Sequence, residues 1–356
     1  DFQALTGEKA GEPEVDEAMG ALRGTCTTSA ETGLPLVLIA AYALTRDDET
    51  GGDRTKVTLF MGYVPSVQFA PVYVAAQRGY FADEGIAITF ENSLNKADGV
   101  ERIANNDLQF GLISGEQVVL ARAKERPVVY VFEWFHRFPV GVVSPARLNI
   151  TQPEDLAGRV VGVPGPQGAS YIGLRALLNA AGLTEDDLGE LRSIGFAAPE
   201  NICEDKVEAS VVYIVNEPLT IEQQCTEVNV IEVSDYATLV SNGVVTNEQT
   251  IRDKPDLVRG MVRAVQRGIT DTIADPDAAF EIAVTQYVKD LPKDKYETQR
   301  QVLLNSVKLW HSDALGLTNP EAWVVTQDIL IEAGLLTAPL DDLAACYNMD
   351  FLPEQP

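Results

Sequence analysis

The stretch that decides the fold runs Val57-Thr-Leu-Phe60, then Pro71-Val-Tyr-Val-Ala-Ala-Gln-Arg78, turns at Gly79-Tyr-Phe81, and ends at Ile86-Ala-Ile-Thr-Phe90. A short apolar run, a helical run and an alternating run follow one another, which reads as β-α-β. Downstream the alternation continues. Asp98 to Asn105 is expected to be a helix, Leu108 to Ile113 a strand, Gly115 to Lys124 a helix and Pro127 to Phe132 a strand. Strands joined through helices return to the same end of a sheet, so they pair in parallel. The first half of the chain is therefore expected to hold a mainly parallel sheet flanked by helices.

The pattern restarts at Pro153. Strands are expected at Val160 to Val163, Leu191 to Phe196, Ala209 to Val215 and Val228 to Val233, with a helix from Gly168 to Ala181 stopped by Gly182. Gly243 to Thr246 reads as a strand crossing back to the first lobe. From Lys254 the signal is helical, with Leu257, Val258, Met261, Val262, Val265 and Ile269 at helical spacing. Further helices are expected over Ala278 to Val288, Gln301 to Trp310 and Glu321 to Ala333. The chain thus reads as α/β with two lobes and a helical C-terminal region. Lobe 1 takes residues 56–143 and about 243–356, and lobe 2 takes 144–242. The charged, Gly-containing break at 46–56 sets off residues 1–55 as an N-terminal extension with no assigned role. Its apolar run, Leu34 to Leu44, is shorter than the ~20 residues of a membrane helix and reads as a buried strand. Residues 20–46 and 111–137 are similar enough to be a truncated duplication, or two unrelated βα units that coincide. Asp1 opens a polar start in which no signal peptide is visible, so the chain reads as a mature or trimmed form.

Composition narrows the function. The 356 residues include 53 acidic and 27 basic ones, for a formal net charge of -26. Such a charge repels phosphate backbones and anionic membrane faces, which excludes nucleic acid as a partner. Four cysteines, Cys26, Cys203, Cys225 and Cys346, have no C-x-x-C spacing. Cys203 and Cys225 flank a strand and its following loop and can close a local bridge, leaving Cys26 with Cys346 to tie the chain ends. Four buried free thiols fit the same sequence.

Catalytic patterns are missing from the sequence. His136 and His311 stand far apart, with no H-E-x-x-H and no local Cys–His or Ser–His set. Gly162 to Tyr171 follows a strand and opens a helix, yet matches neither common phosphate-loop pattern. Gly168 and Ser170 there offer a helix start to a carbonyl-bearing or anionic ligand. The aromatic residues say more. Phe69 and Tyr73 lie around the first βα loop with Tyr63. Trp134 and Phe135 follow the fourth strand with Phe132 and Phe138, and Tyr171 opens a helix of the second half. These positions fall at the carboxyl ends of expected parallel strands, where open α/β sheets bind ligands. Ser66, Gln68, Ser114, Glu116, Asn216 and Glu217 stand nearby as polar groups to orient a flat ligand.

Val64-Pro-Ser-Val-Gln-Phe-Ala-Pro-Val-Tyr-Val-Ala75, followed by Arg78-Gly-Tyr-Phe-Ala-Asp-Glu-Gly-Ile86, resembles the opening of the NMT1/THI5-like solute-binding proteins. Leu156-Ala-Gly-Arg-Val-Val-Gly-Val163 is similar to the start of their second lobe. The resemblance covers roughly residues 56–340. Within that family, Gly62 to Ala75, Ser114 to Gln117, Phe132 to Phe135, Arg137 to Pro139, Gly168 to Gly173 and Asn216 to Pro218 most resemble the riboflavin receptors. The resemblance implies a type II periplasmic-binding-protein fold whose lobes close on a small molecule. It also implies a monomer that delivers its ligand to an ABC permease, from a periplasmic or extracytoplasmic place, with a lipid anchor as one form before processing. Riboflavin would be cargo and not a cofactor, and no cofactor or metal is expected. Phe69, Trp134 and Tyr171 would stack on the ligand. The family's pyrimidine synthases carry a cysteine-rich motif and an essential histidine, which are missing here, and Ser66-Val-Gln-Phe69 replaces the Asn-rich stretch of pyrimidine binders. A pyrimidine-precursor binder or enzyme, and a structural subunit that kept the fold, are the rival readings.

Overall fold

A computed structural model describes residues 54–353 of the chain. Cys26, the run Leu34 to Leu44 and the first of the two similar segments lie outside the described residues. The first sheet has the order β2-β1-β3-β10-β4. Its strands are β1 (Thr55–Met61), β2 (Ile86–Asn92), β3 (Phe110–Ser114), β4 (Val128–Glu133) and β10 (Asn242–Asn247). The second has the order β7-β6-β8-β5-β9, from β5 (Val140–Pro145), β6 (Val160–Val163), β7 (Glu190–Ser193), β8 (Ala209–Tyr213) and β9 (Val228–Glu232). β3, β4 and β5 are buried at every position, as expected for apolar runs covered on both faces.

Each sheet is parallel except for one strand. β10 runs antiparallel to β3 and β4, and β5 runs antiparallel to β8 and β9. One cause explains both. The chain passes from β4 to β5, and from β9 to β10, with no crossover helix between. A strand that enters its sheet from the cleft must run away from the cleft, whereas strands fed by helices run toward it. The two passages are tied together, because Arg137 on the first donates to Glu232 at 2.9 Å and to Asp235 at 3.1 Å beside the second.

Three boundaries differ from the sequence reading. Val140 to Val143, assigned to lobe 1, pair in the second sheet as part of β5. The strand expected to reach Phe196 ends at Ser193, because the chain turns at Gly195, whose φ is +61°. The helix expected over Ala278 to Val288 is α-helical only over Pro276–Ile282 and then widens into a π turn, Ala283–Tyr287. That turn lays the Tyr287 ring flat on Tyr73, centroids 4.2 Å apart.

The C-terminal helices cover the first sheet and reach the second lobe. Helix Pro255–Ala274 buries Val258, Met261, Val262, Val265 and Ile269 and crosses helix Ala70–Gln77. Gly268 permits the crossing, since a Cβ there would lie 2.2 Å from the Pro71 carbonyl oxygen. Helix Pro320–Glu332 contacts helix Gly115–Arg122 of the first lobe and helix Ala169–Ala180 of the second. Its Trp323 is fully buried, edge-on to Tyr130 at 5.3 Å. No helix among the described residues is long and apolar enough to cross a membrane.

Cys203 and Cys225 form a disulfide that joins the ends of helices Ala198–Cys203 and Glu217–Gln224. Among the described residues Cys346 is a free thiol, fully buried in the core beside β4, and Cys26, its expected partner, lies outside them. Burial pushes that thiol up to about 12, so it stays protonated and inert. Closing a loop with a sequence separation of 22 contributes about 3 kcal/mol by the chain-entropy argument. Replacing both Cys203 and Cys225 by Ser should lower the unfolding free energy by about that amount and the melting temperature by several degrees. Chemical denaturation of the double variant beside the parent checks this, and equal midpoints would show that the bridge carries no stability.

Candidate ligand-binding site

A cavity lies between the lobes, at the carboxyl ends of both sheets. Each wall follows from how a strand ends. β1 runs into Gly62 and Tyr63, and the loop is held by Asn92, whose Nδ2 donates to the Tyr63 carbonyl at 2.9 Å. Ser66 then caps a short 3-10 turn, accepting from the Gln68 N–H at 3.2 Å. That turn presents Gln68 and Phe69 to the cavity.

β3 ends in Ser114, which lines the cavity. Its hydroxyl donates to Glu116 Oε1 at 2.6 Å and accepts from Gln117 Nε2 at 3.1 Å. β4 continues into Trp134 and Phe135, and both are pinned from behind by Trp310 of helix Tyr296–Trp310. Phe135 stacks on Trp310 at 5.8 Å, and Trp134 meets it edge-on at 5.9 Å. From the second lobe come Phe196, past the end of β7, and Tyr213 and Glu217, at and beyond the end of β8. Phe196 reaches across the cleft to Tyr63, edge-to-face at 5.6 Å. Asn242, at the start of β10, accepts from the Tyr213 hydroxyl at 3.2 Å.

The electrostatics centre on Glu217. The residue as a whole is half-buried, but its Oε2 is sealed from solvent and has no hydrogen-bond partner. Desolvation pushes its carboxyl up to about 7, against hydrogen bonds from neighbouring N–H groups that favour the charged form. Tyr63 is pushed up to about 12, first by burial and then by the nearby Glu217. Tyr213 is raised by burial, with the Glu116 and Glu217 charges adding to it. None of the residues that line the cavity is His, Cys, Lys or Arg.

Six expected site residues line the cavity: Gln68, Phe69, Ser114, Trp134, Phe135 and Glu217. Three more stand directly behind it. Ser66 caps the turn that carries Gln68, Glu116 holds Ser114, and Asn216 immediately precedes the helix that begins at Glu217. The other four are elsewhere. Tyr73 is buried in the core between Phe69, Phe90 and Tyr287. Tyr171 is not a wall of the cavity: its hydroxyl donates to Glu185, inside the second lobe, because its helix turns that side chain toward the lobe's own core. Gly168 and Ser170 open the same helix and are not among the lining residues. The cavity is also lined by Gly62, Tyr63, Leu112, Phe196, Tyr213 and Asn242, none of them among the expected site residues, although Tyr63 stands out in the sequence as an aromatic near the first loop. The signal for Tyr213 and Asn242 was their place at strand ends beside the inter-lobe passages.

The family described as NMT1/THI5 like matches residues 66–279. The riboflavin-binding protein RibY of Chloroflexus aurantiacus is 37% identical over 306 residues, which is 84% of this chain and 86% of that protein. The 4-amino-5-hydroxymethyl-2-methylpyrimidine phosphate synthase of Legionella pneumophila is 24% identical, over 85% of this chain and 94% of that protein. The crystal structure of the periplasmic aliphatic sulphonate binding protein SsuA from Escherichia coli superposes with a TM-score of 0.68 at 14% identity, covering 82% of this chain and 97% of that one. At that identity it establishes the two-lobed binding-protein fold alone. Family match, identity across most of the chain and shared fold agree, and the chain belongs to the NMT1/THI5-like family.

Proposed function

We propose that this protein is the solute-binding receptor of an ABC importer and carries a flat heteroaromatic vitamin, with riboflavin as the ligand. The observation that carries the reading is the cavity itself. Phe69, Trp134 and Phe135 form an apolar wall on one lobe, Phe196 and Tyr213 face them from the other, and a few polar groups stand at the rim. Aromatic side chains of this kind hold a planar ring by stacking and edge contacts. Two direct passages between the lobes supply a hinge for closing on the ligand. The 37% identity to a riboflavin-binding protein supports the choice of ligand. A binding role and not a catalytic one is supported by that relative and by the lining, which offers no paired nucleophile and base. The Legionella synthase is a more distant relative, and the stretch Ser66-Val-Gln-Phe69 supplies no histidine to a pyrimidine. An extracytoplasmic place is supported by the Cys203–Cys225 disulfide, which oxidising compartments favour. The partners are then the small molecule and a membrane permease, with a single chain sufficient to form the cavity.

Titration with riboflavin should quench the tryptophan fluorescence, because Trp134 lines the cavity and Trp310 backs it. Ligand at about 100 times its dissociation constant should stabilise the fold by ~2.7 kcal/mol, seen as a raised melting temperature. No quenching and no thermal shift at tens of micromolar, on the order of a receptor's working range or above, would reject riboflavin. Phe69→Ala should weaken binding by about tenfold, ~1.4 kcal/mol, and lower the melting temperature of the empty protein, since the ring also packs on Tyr73. Calorimetric titration and melting curves of parent and variant measure the two effects.

A further inference from the structure

We propose that the cavity is an anion filter: it admits the uncharged form of its aromatic ligand and rejects the phosphorylated or sulfonated form, with the Glu217 carboxylate as the discriminating group. The proposal rests on the receptor reading above and adds the charge class of the ligand and the residue that sets it.

Three observations converge. First, the lining contains no cationic side chain, and its one ionisable carboxylate, Glu217, has an oxygen sealed from solvent with no partner. A buried carboxylate in that state gains from a ligand N–H or O–H donor and repels a second anion. Second, two cavity hydroxyls are already committed as donors. Ser114 gives its proton to Glu116 at 2.6 Å, and Tyr213 gives its proton to Asn242 Oδ1 at 3.2 Å. Neither is left to donate to a phosphate oxygen without breaking an internal bond. Third, the three helices that begin beside the cavity lining offer an anion little at their N-termini. Helix Gly115–Arg122 carries Glu116 in its first turn, and its Gly115 N–H donates to the Ser241 carbonyl at 3.1 Å. Helix Glu217–Gln224 starts with Glu217 itself and then Pro218, which has no N–H, and helix Ala70–Gln77 has Pro71 in its first turn. At these three helix starts the N–H groups and dipole that bind phosphate in other α/β folds are therefore occupied, removed or opposed by charge, and the cavity's remaining donors are neutral.

The test compares riboflavin with riboflavin 5′-phosphate by calorimetric titration. At pH 8 the phosphate ester should bind at least about 100-fold more weakly, ~2.7 kcal/mol. In Glu217→Gln that ratio should narrow at least tenfold, whatever happens to the affinity for riboflavin itself. Glu217→Asp keeps the charge and should keep the ratio. Melting curves of both variants confirm that each is folded. The parent's ratio should also narrow as pH falls through about 7, where Glu217 takes up a proton. The phosphate loses charge near pH ~6 in every variant, so the Gln variant supplies the baseline for that change. A parent ratio below tenfold, or a ratio unchanged in Glu217→Gln, overturns the filter. If riboflavin does not bind, the flavin reading fails separately. The filter is then read on 4-amino-5-hydroxymethyl-2-methylpyrimidine and pyridoxine, each against its own phosphate. Preference for either phosphate, or no binding by either neutral compound, overturns it.

Discussion

Two short lengths of chain, between β4 and β5 and between β9 and β10, govern the rest of this structure. Because neither contains a crossover helix, the chain must enter each new sheet from the cleft side. That requirement reverses one strand per sheet and leaves the other four pointing at the cleft. The carboxyl ends of both sheets then oppose one another, and the loops that follow them become the walls of a shared cavity. A helical crossover at either passage would have put the second sheet's strand ends on an unrelated face. Arg137 bridges from one passage to Glu232 and Asp235 beside the other and so links the two.

The cavity is built stiff on one side and adaptable on the other. Trp134 and Phe135 are buried and braced by Trp310, and Phe69 rests against Tyr73, which Tyr287 backs in turn. The second lobe contributes fewer rings, and Phe196 is 47% exposed. Its loop and the helix that bears Glu217 are linked through helices whose ends the disulfide joins. Glu217 itself costs stability. Its folded pKa of about 7 lies above a glutamate's ordinary value of 4.5, so the cost is absent below about 4.5 and complete above about 7. A site that keeps such a group unpaired gains affinity when a ligand supplies the missing donor.

Part of the site was legible because strand ends are legible. Gln68, Phe69, Ser114, Trp134, Phe135 and Glu217 each follow a run that reads as a strand, and each lines the cavity. Tyr171 failed by the same reasoning. It follows β6 as Phe69 follows β1, but helix Ala169–Ala180 rotates its ring into the second lobe, where Glu185 and Arg175 hold the hydroxyl. Helical phase relative to a neighbouring sheet is a property of packing, and local pattern does not carry it. Phe196 was placed inside a strand, and only the turn at Gly195 sends it across the cleft to Tyr63.

Local order determined a good deal by itself. The alternation of apolar runs and helical runs and the breaks at Gly and Pro are properties of neighbouring residues, so they read directly from the chain as a two-lobed α/β fold. Tertiary structure decided that Cys203 pairs with Cys225, which aromatic rings line the cavity, and that Glu217 Oε2 is left sealed and unpartnered. These depend on distances between residues far apart in sequence, set when two sheets meet across a cleft, and no local pattern encodes such a distance.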